Sequence, residues 1–161
     1  TLVAQLVHYL NRGKVEDGPD GDMANHRARL LSHPEELHRI PGFSADIITR
    51  LTPHVTAVPE NHPVNANTAT AEVLAAMVDG LGLNAARILV AERERVWYRN
   101  VGDFVARLGD GLTAPNDGSI SVRSRYFLVS VQTSHGRSIT RLEALLDREQ
   151  TWPMILWYRN R

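Results

Sequence analysis

Four carboxylates crowd the segment Val15-Glu16-Asp17-Gly18-Pro19-Asp20-Gly21-Asp22. Oxygen donors on a backbone that turns repeatedly are what Ca²⁺ takes, whereas Mg²⁺ demands a stricter octahedron. The spacing is not that of an EF-hand, and no Glu stands where such a loop needs its bidentate ligand. Glu16, Asp17, Asp20 and Asp22 are therefore candidate Ca²⁺ ligands, with a solvated acidic loop as the alternative. A second chemistry, phosphate binding, is suggested by a duplicated helix, tight hairpin, helix pattern. One copy runs from Leu37 to Ile48 through Ile40-Pro41-Gly42-Phe43-Ser44, the other from Leu74 to Ile88 through Asp79-Gly80-Leu81-Gly82. A Gly-apolar-Gly turn lets backbone amides reach a phosphate at the start of the second helix. Affinity for such an anion also needs cations nearby. The first hairpin has Ser44 for its second glycine and puts Asp46 in the anion-facing turn; the second is flanked by Asp79 and offers only Arg87. The hairpins read better as devices that pack helices.

Catalytic arrangements are missing from the sequence. No two of the seven histidines stand four apart, His33 and His38 diverge on a helix, and neither a Gly-x-Ser-x-Gly elbow nor a Walker loop is present. With no cysteine there is no thiolate nucleophile, disulfide or thiolate zinc site. Trp97, Trp152 and Trp157 are widely spread and read as core or sheet packing. The reading is not an enzyme.

The elements that would carry these residues follow from period and punctuation. The chain has 161 residues, 43% of them hydrophobic, with 18 basic residues against 18 acidic ones and a single lysine, Lys14. That balance excludes a generically basic nucleic-acid or membrane-surface binder, and no apolar run is long enough to span a bilayer. Thr1 is not an initiator Met, and the helical period begins at once with Leu2, Leu6, Tyr9 and Leu10, so the sequence reads as a piece of a longer protein. Helices are expected near Leu2–Leu10, from Pro34, from Ser44 as a cap, from Thr68 or Thr70 as a cap, over Ala85–Arg93 and around Val101–Leu108. Their expected buried residues include Leu37, Ile40, Ile47, Ile48, Leu51, Val55, Leu74, Val78, Ile88, Leu89 and Phe104. After the Gly/Pro/Asn-rich stretch 109–118 the period changes to two. Arg125–Gln132, Ile139–Leu146 and Trp152–Tyr158 then predict a three-stranded antiparallel meander, with Phe127, Val129 and Val131 sharing one face. The predicted class is α+β: a helical domain over 1–112 with two helix-hairpin-helix-like units, then β-strands over 119–161. Such a meander must expose an apolar face or an unpaired edge unless something covers it.

Several segments together resemble the minor pseudopilin GspK family of type II secretion. These are Glu35-Glu36-Leu37-His38-Arg39-Ile40-Pro41-Gly42-Phe43, Leu51-Thr52-Pro53-His54-Val55-Thr56-Ala57-Val58-Pro59, Pro63-Val64-Asn65-Ala66-Asn67-Thr68-Ala69, and Ser124-Arg125-Tyr126-Phe127-Leu128-Val129. The Asn-x-Asn-Thr-Ala piece is also similar to DNA-uptake proteins resembling ComEA, whose helix-hairpin-helix modules bind DNA; the order of all the segments, ending in a meander, favours the pseudopilin. The resemblance implies a pilin-type sheet interrupted by a helical insertion and preceded by an N-terminal membrane helix. It implies a periplasmic domain of an inner-membrane-anchored protein at the pseudopilus tip, partnered by the minor pseudopilins GspI and GspJ, with no enzymatic activity and no nucleic-acid partner. It also implies Ca²⁺ in an acidic segment after the first insertion helix. There this sequence departs, with Tyr9-Leu10-Asn11-Arg12 in place of the family's first acidic cluster, while Glu16-Asp17 matches a later Glu-Asp.

Overall fold

The computed structural model describes residues 1–15, 31–115 and 117–160. They form two compact units, 1–61 and 62–161. In the first unit, α1 (Leu2–Val15) lays Leu2, Leu6 and Tyr9 against a small core of Leu37, Ile40, Phe43 and Ile48. A single 3₁₀ segment, Pro34–Arg39, supplies Leu37. An α-helix was expected there, but Pro41 drives the preceding Ile40 to an extended backbone (φ −101°, ψ 123°), and the run between the prolines is too short to propagate. Glu36 holds this turn from both ends, accepting from the Ser32 amide at 2.6 Å and pairing with Arg39 at 3.2 Å. The chain then reverses at Gly42, and Ser44 caps α2 (Ala45–Leu51) by accepting from the Ile47 amide.

The second unit begins with a two-residue strand, β1 (Val64–Asn65), which pairs in parallel with β2 (Ile120–Ser121). Between them lie α3 (Ala71–Met77), α4 (Leu83–Arg95) and α5 (Val101–Ala106). Thr70 and Asn100 cap α3 and α5 through their side-chain oxygens, and Gly82 takes the capping position of α4. Leu74, Val78, Leu81, Ala86, Leu89, Tyr98, Phe104, Leu108 and Ile120 make the core. The chain continues into β3 (Tyr126–His135), β4 (Ser138–Asp147) and β5 (Met154–Asn160), an antiparallel sheet in the order β3-β4-β5. The α+β class and the meander are as read from the sequence.

Two expectations are corrected. The stretch 109–118 does not part the structure as the change of period suggested, because β1 and β2 pair across it and Leu112 and Ala114 join the helical core; the compact unit runs from 62 to 161. Several residues assigned to packing lie outside: Ile88 is 60% exposed, Trp97 65% and Trp152 84%, and Val55 is also on the surface. Helix α4 buries one narrow stripe, Ala86 and Leu89, so the intervening Ile88 faces solvent.

Glycines at the two hairpins do different work. Gly42 has φ +92°, and a Cβ there would meet Gln5 Oε1 at 2.7 Å and Leu2 Cδ2 at 3.0 Å, so α1 rests directly on the turn. Gly82 has an ordinary φ of −67°, and a Cβ added to it would meet nothing. Gly42→Ala should therefore cost about 1–2 kcal/mol in chemical denaturation, while Gly82→Ala should cost only the N-cap preference for glycine over alanine, about 0.5 kcal/mol.

Candidate interaction surface

Four elements of the second unit are tied together by the Asn65-Ala66-Asn67 segment. The Asn67 side-chain amide donates to the carbonyls of Tyr98 (2.9 Å) and Val122 (3.4 Å), and its oxygen accepts from the Tyr98 amide at 2.8 Å. Asn65 accepts from the Asn67 amide at 2.8 Å and donates to Ser124 Oγ at 2.9 Å. Arg93 reaches from α4 to the Ala66 carbonyl at 2.6 Å. The fully buried Tyr98 donates its hydroxyl to the Leu89 carbonyl at 3.0 Å, packs edge-on to Phe104, and lies beneath the Arg107 guanidinium. Burial raises the Tyr98 pKa and lowers that of Arg93, as desolvation disfavours each charged form. An asparagine suits this position because one planar group both donates and accepts.

At the near end of the sheet, Arg125 grips Asp147 with two hydrogen bonds, 2.8 and 2.7 Å, and also pairs with Glu149 at 2.7 Å. The hydrogen bonds donated by Arg125 hold the Asp147 carboxyl below its ordinary value, and the same bonds to Asp147 raise the arginine. His62 meets the Tyr126 ring edge-on alongside. This clasp fixes the point where β3 leaves the helical body.

The sheet has two unlike faces. Cross-strand pairing places Phe127, Leu146 and Ile155 in one row, Val129, Ala144 and Tyr158 in the next, and Val131 with Leu142 beyond them. Asn160, opposite Leu142, ends these rows; the residues before it are apolar or aromatic and, Ala144 apart, lie partly open: Phe127 is 38% exposed, Val131 50%, Ile155 60% and Tyr158 70%. The other face carries the Glu143–Arg159 ion pair at 2.9 Å, the Arg141–Gln132 hydrogen bond at 2.8 Å, and Trp157 beneath Arg159, together with the exposed Leu128 and Met154. Contiguous open apolar surface of this kind marks a contact site.

The candidates read from the sequence are distributed as follows. Glu16, Asp17, Asp20 and Asp22 lie outside the described residues. Among the described residues no cluster of His, Asp and Glu is arranged to hold a metal. The phosphate reading would need Arg87, Arg93 and Arg95 to converge on Gly80-Leu81-Gly82. Arg93 is turned to Ala66 instead, and Arg95, twelve positions after Leu83, is about 18 Å along the helix from its start. The Arg125–Asp147 clasp escaped the sequence reading, since a contact spanning 22 residues leaves no local pattern.

Comparison with known proteins centres on these same residues. Residues 64–123 match the family model described as "Type II secretion system (T2SS), protein K". Over residues 64–123 the chain belongs to the type II secretion protein K family. A curated relative, "Type II secretion system protein K" of Pseudomonas aeruginosa, is 35% identical over 120 residues, which cover 74% of this chain and 35% of that protein. The chain thus spans about a third of the length of the relative it matches. In fold it is similar, with TM-score 0.65 and 20% identity, to a chain of "The Crystal Structure of the GspK-GspI-GspJ complex from enterotoxigenic Escherichia coli Type 2 Secretion System"; the match covers 93% of this chain and 54% of that one. The family segment contains every partner of the Asn67 side chain, from β1 through α5 to Val122. Asn67→Ala should leave the Tyr98 amide and two carbonyls without their partner and lower stability by about 2–4 kcal/mol in urea unfolding. Thr68→Ala, beside it and exposed, should cost less than about 0.5 kcal/mol by the same measurement.

Proposed function

We propose that this protein is a minor pseudopilin of the type II secretion pseudopilus tip, a non-enzymatic assembly component that acts in the periplasm and binds GspI- and GspJ-type pseudopilins. The family segment and the likeness in fold support this reading, and the open apolar face of the sheet carries it. That face is three strands wide, and strands lie ~4.8 Å apart, so it spans roughly the ~10–12 Å diameter of one α-helix. A helix from the rest of the protein or from a neighbouring pseudopilin would bury it, which gives the surface a role in assembly and none in chemistry. No helix among the described residues is long and apolar enough to cross a membrane, so anchoring is assigned to a helix beyond these residues.

The test is co-elution of the chain with purified GspI- and GspJ-type pseudopilins from the same bacterium. Wild type should co-elute, and Phe127→Glu with Ile155→Glu should abolish the complex while leaving the helical circular dichroism unchanged. A complex indifferent to both charges would contradict the role given to this face. Ca²⁺ binding by Glu16, Asp17, Asp20 and Asp22 belongs to the same proposal. At a hundred times its Kd the ion should add about 2.7 kcal/mol, seen as a rise in melting temperature with Ca²⁺ and none with Mg²⁺.

A further inference from the structure

The turn between α4 and α5 is pinned on both sides of Trp97. The Val96 carbonyl accepts from Arg107 Nη1 at 2.8 Å, the Tyr98 amide donates to Asn67 Oδ1 at 2.8 Å, and the Arg99 amide donates to Asp103 Oδ2 at 3.0 Å. The Tyr98 ring is fully buried, with its hydroxyl bonded to the Leu89 carbonyl. Its neighbours thus leave the backbone of Trp97 little freedom, yet the indole is 65% exposed. Tryptophan has roughly 150–250 Å² to bury and is highly buried on average. A loose turn lets such a ring fold back onto the core; this one holds it out in solvent. The charges next to it are of one sign. Arg95 and Arg99, two residues away on either side, are exposed and form no ion pair among the described residues. The nearest acidic residues in sequence are engaged elsewhere: Asp103 binds Arg107 and the Arg99 amide, and Glu94 lies within electrostatic reach of Arg93.

We propose that Trp97 is an anchor received by an apolar pocket, rimmed by carboxylates, on an adjoining pseudopilin; the identity of that subunit rests on the assembly reading above. Charge complementarity to Arg95 and Arg99 defines the rim. The indole N–H needs an acceptor once it is buried, and a rim carboxylate supplies one. Tryptophan and arginine are the residues of interface hot spots, and a ring held in place beforehand loses little freedom on binding. Single-stranded nucleic acid takes successive stacking rings along a basic groove, whereas this turn has one indole, with Glu92 and Glu94 close behind it on α4. Membrane attachment takes a large apolar face or a basic cluster, and one indole with two cations is neither.

The test labels the chain with fluorotryptophan and assigns the Trp97 fluorine resonance by its loss in Trp97→Phe. Wild type, Trp97→Ala, Arg95→Glu/Arg99→Glu and the control Ile88→Ser, which alters an exposed apolar residue of α4, are titrated with purified GspI- and GspJ-type pseudopilins from the same bacterium at low and high salt. Labelled wild type is also mixed with a single-stranded oligonucleotide and with phosphatidylglycerol/phosphatidylcholine vesicles. In the free chain the Trp97 resonance should differ between light and heavy water, and the pseudopilins should shift it and remove that difference. Affinity should fall roughly thirtyfold or more in Trp97→Ala, and about tenfold in the arginine variant at low salt, with the gap closing at high salt. Ile88→Ser should bind as wild type does, and melting temperatures should not change. Pseudopilin binding that leaves both the Trp97 resonance and the Trp97→Ala affinity unaltered overturns the anchor and leaves the assembly reading intact. Absence of any wild-type binding to the pseudopilins overturns both. A Trp97 shift with the oligonucleotide or the vesicles, and none with the pseudopilins, overturns the protein partner.

Discussion

The side-chain amide of Asn67 is the constraint on which the second unit depends. It sits where the chain leaves β1, and it bonds to the backbone both where the chain turns between α4 and α5 and where it runs from β2 toward the sheet. The β1–β2 ladder joins two of these stretches and leaves out the loop at Tyr98. Polar groups there are satisfied by one planar group that donates and accepts. Arg93 extends the brace by holding Ala66, and Tyr98 fills the space beneath with a buried ring whose hydroxyl finds the Leu89 carbonyl. The Asn-x-Asn-Thr-Ala segment is thus explained by what it holds together.

The brace and the Arg125–Asp147 clasp together decide how the sheet is presented. With its base fixed beside His62 and Tyr126, the sheet offers one face of apolar and aromatic rows and one on which ion pairs stand among exposed apolar side chains such as Leu128 and Met154. Aliphatic and aromatic side chains left open in rows on a sheet are what a contact surface presents. The buried charges Glu143 and Asp147 are each matched by an arginine on the face opposite Phe127.

Much of this was legible in the sequence, and the residues show why. The cap at Ser44, the turn at Gly42, the helix from Thr70 and all three long strands announce themselves through local rules, because caps, turns and alternation act within a few residues. The common face of Phe127, Val129 and Val131 follows from a period of two. Long-range features left no such trace. The two-residue strands β1 and β2 are too short for any period, and their pairing turned an expected linker into part of a compact unit. Trp97 and Trp152 were given to packing on residue type alone, and type does not report which way a loop turns its side chain. The segments of the family resemblance stood out in the sequence, but the hydrogen bonds that make Asn67 necessary did not.

Hydrogen–deuterium exchange on the chain, alone and with purified GspI- and GspJ-type pseudopilins, tests the central claim that this sheet is an assembly surface. The account predicts new protection in Tyr126–Val131, Leu142–Leu146 and Met154–Tyr158 on adding the pseudopilins, with no change at Gly80–Arg87 and none with duplex DNA. Protection confined to Gly80–Arg87 on adding duplex DNA, with the strands unaltered by the pseudopilins, would contradict it.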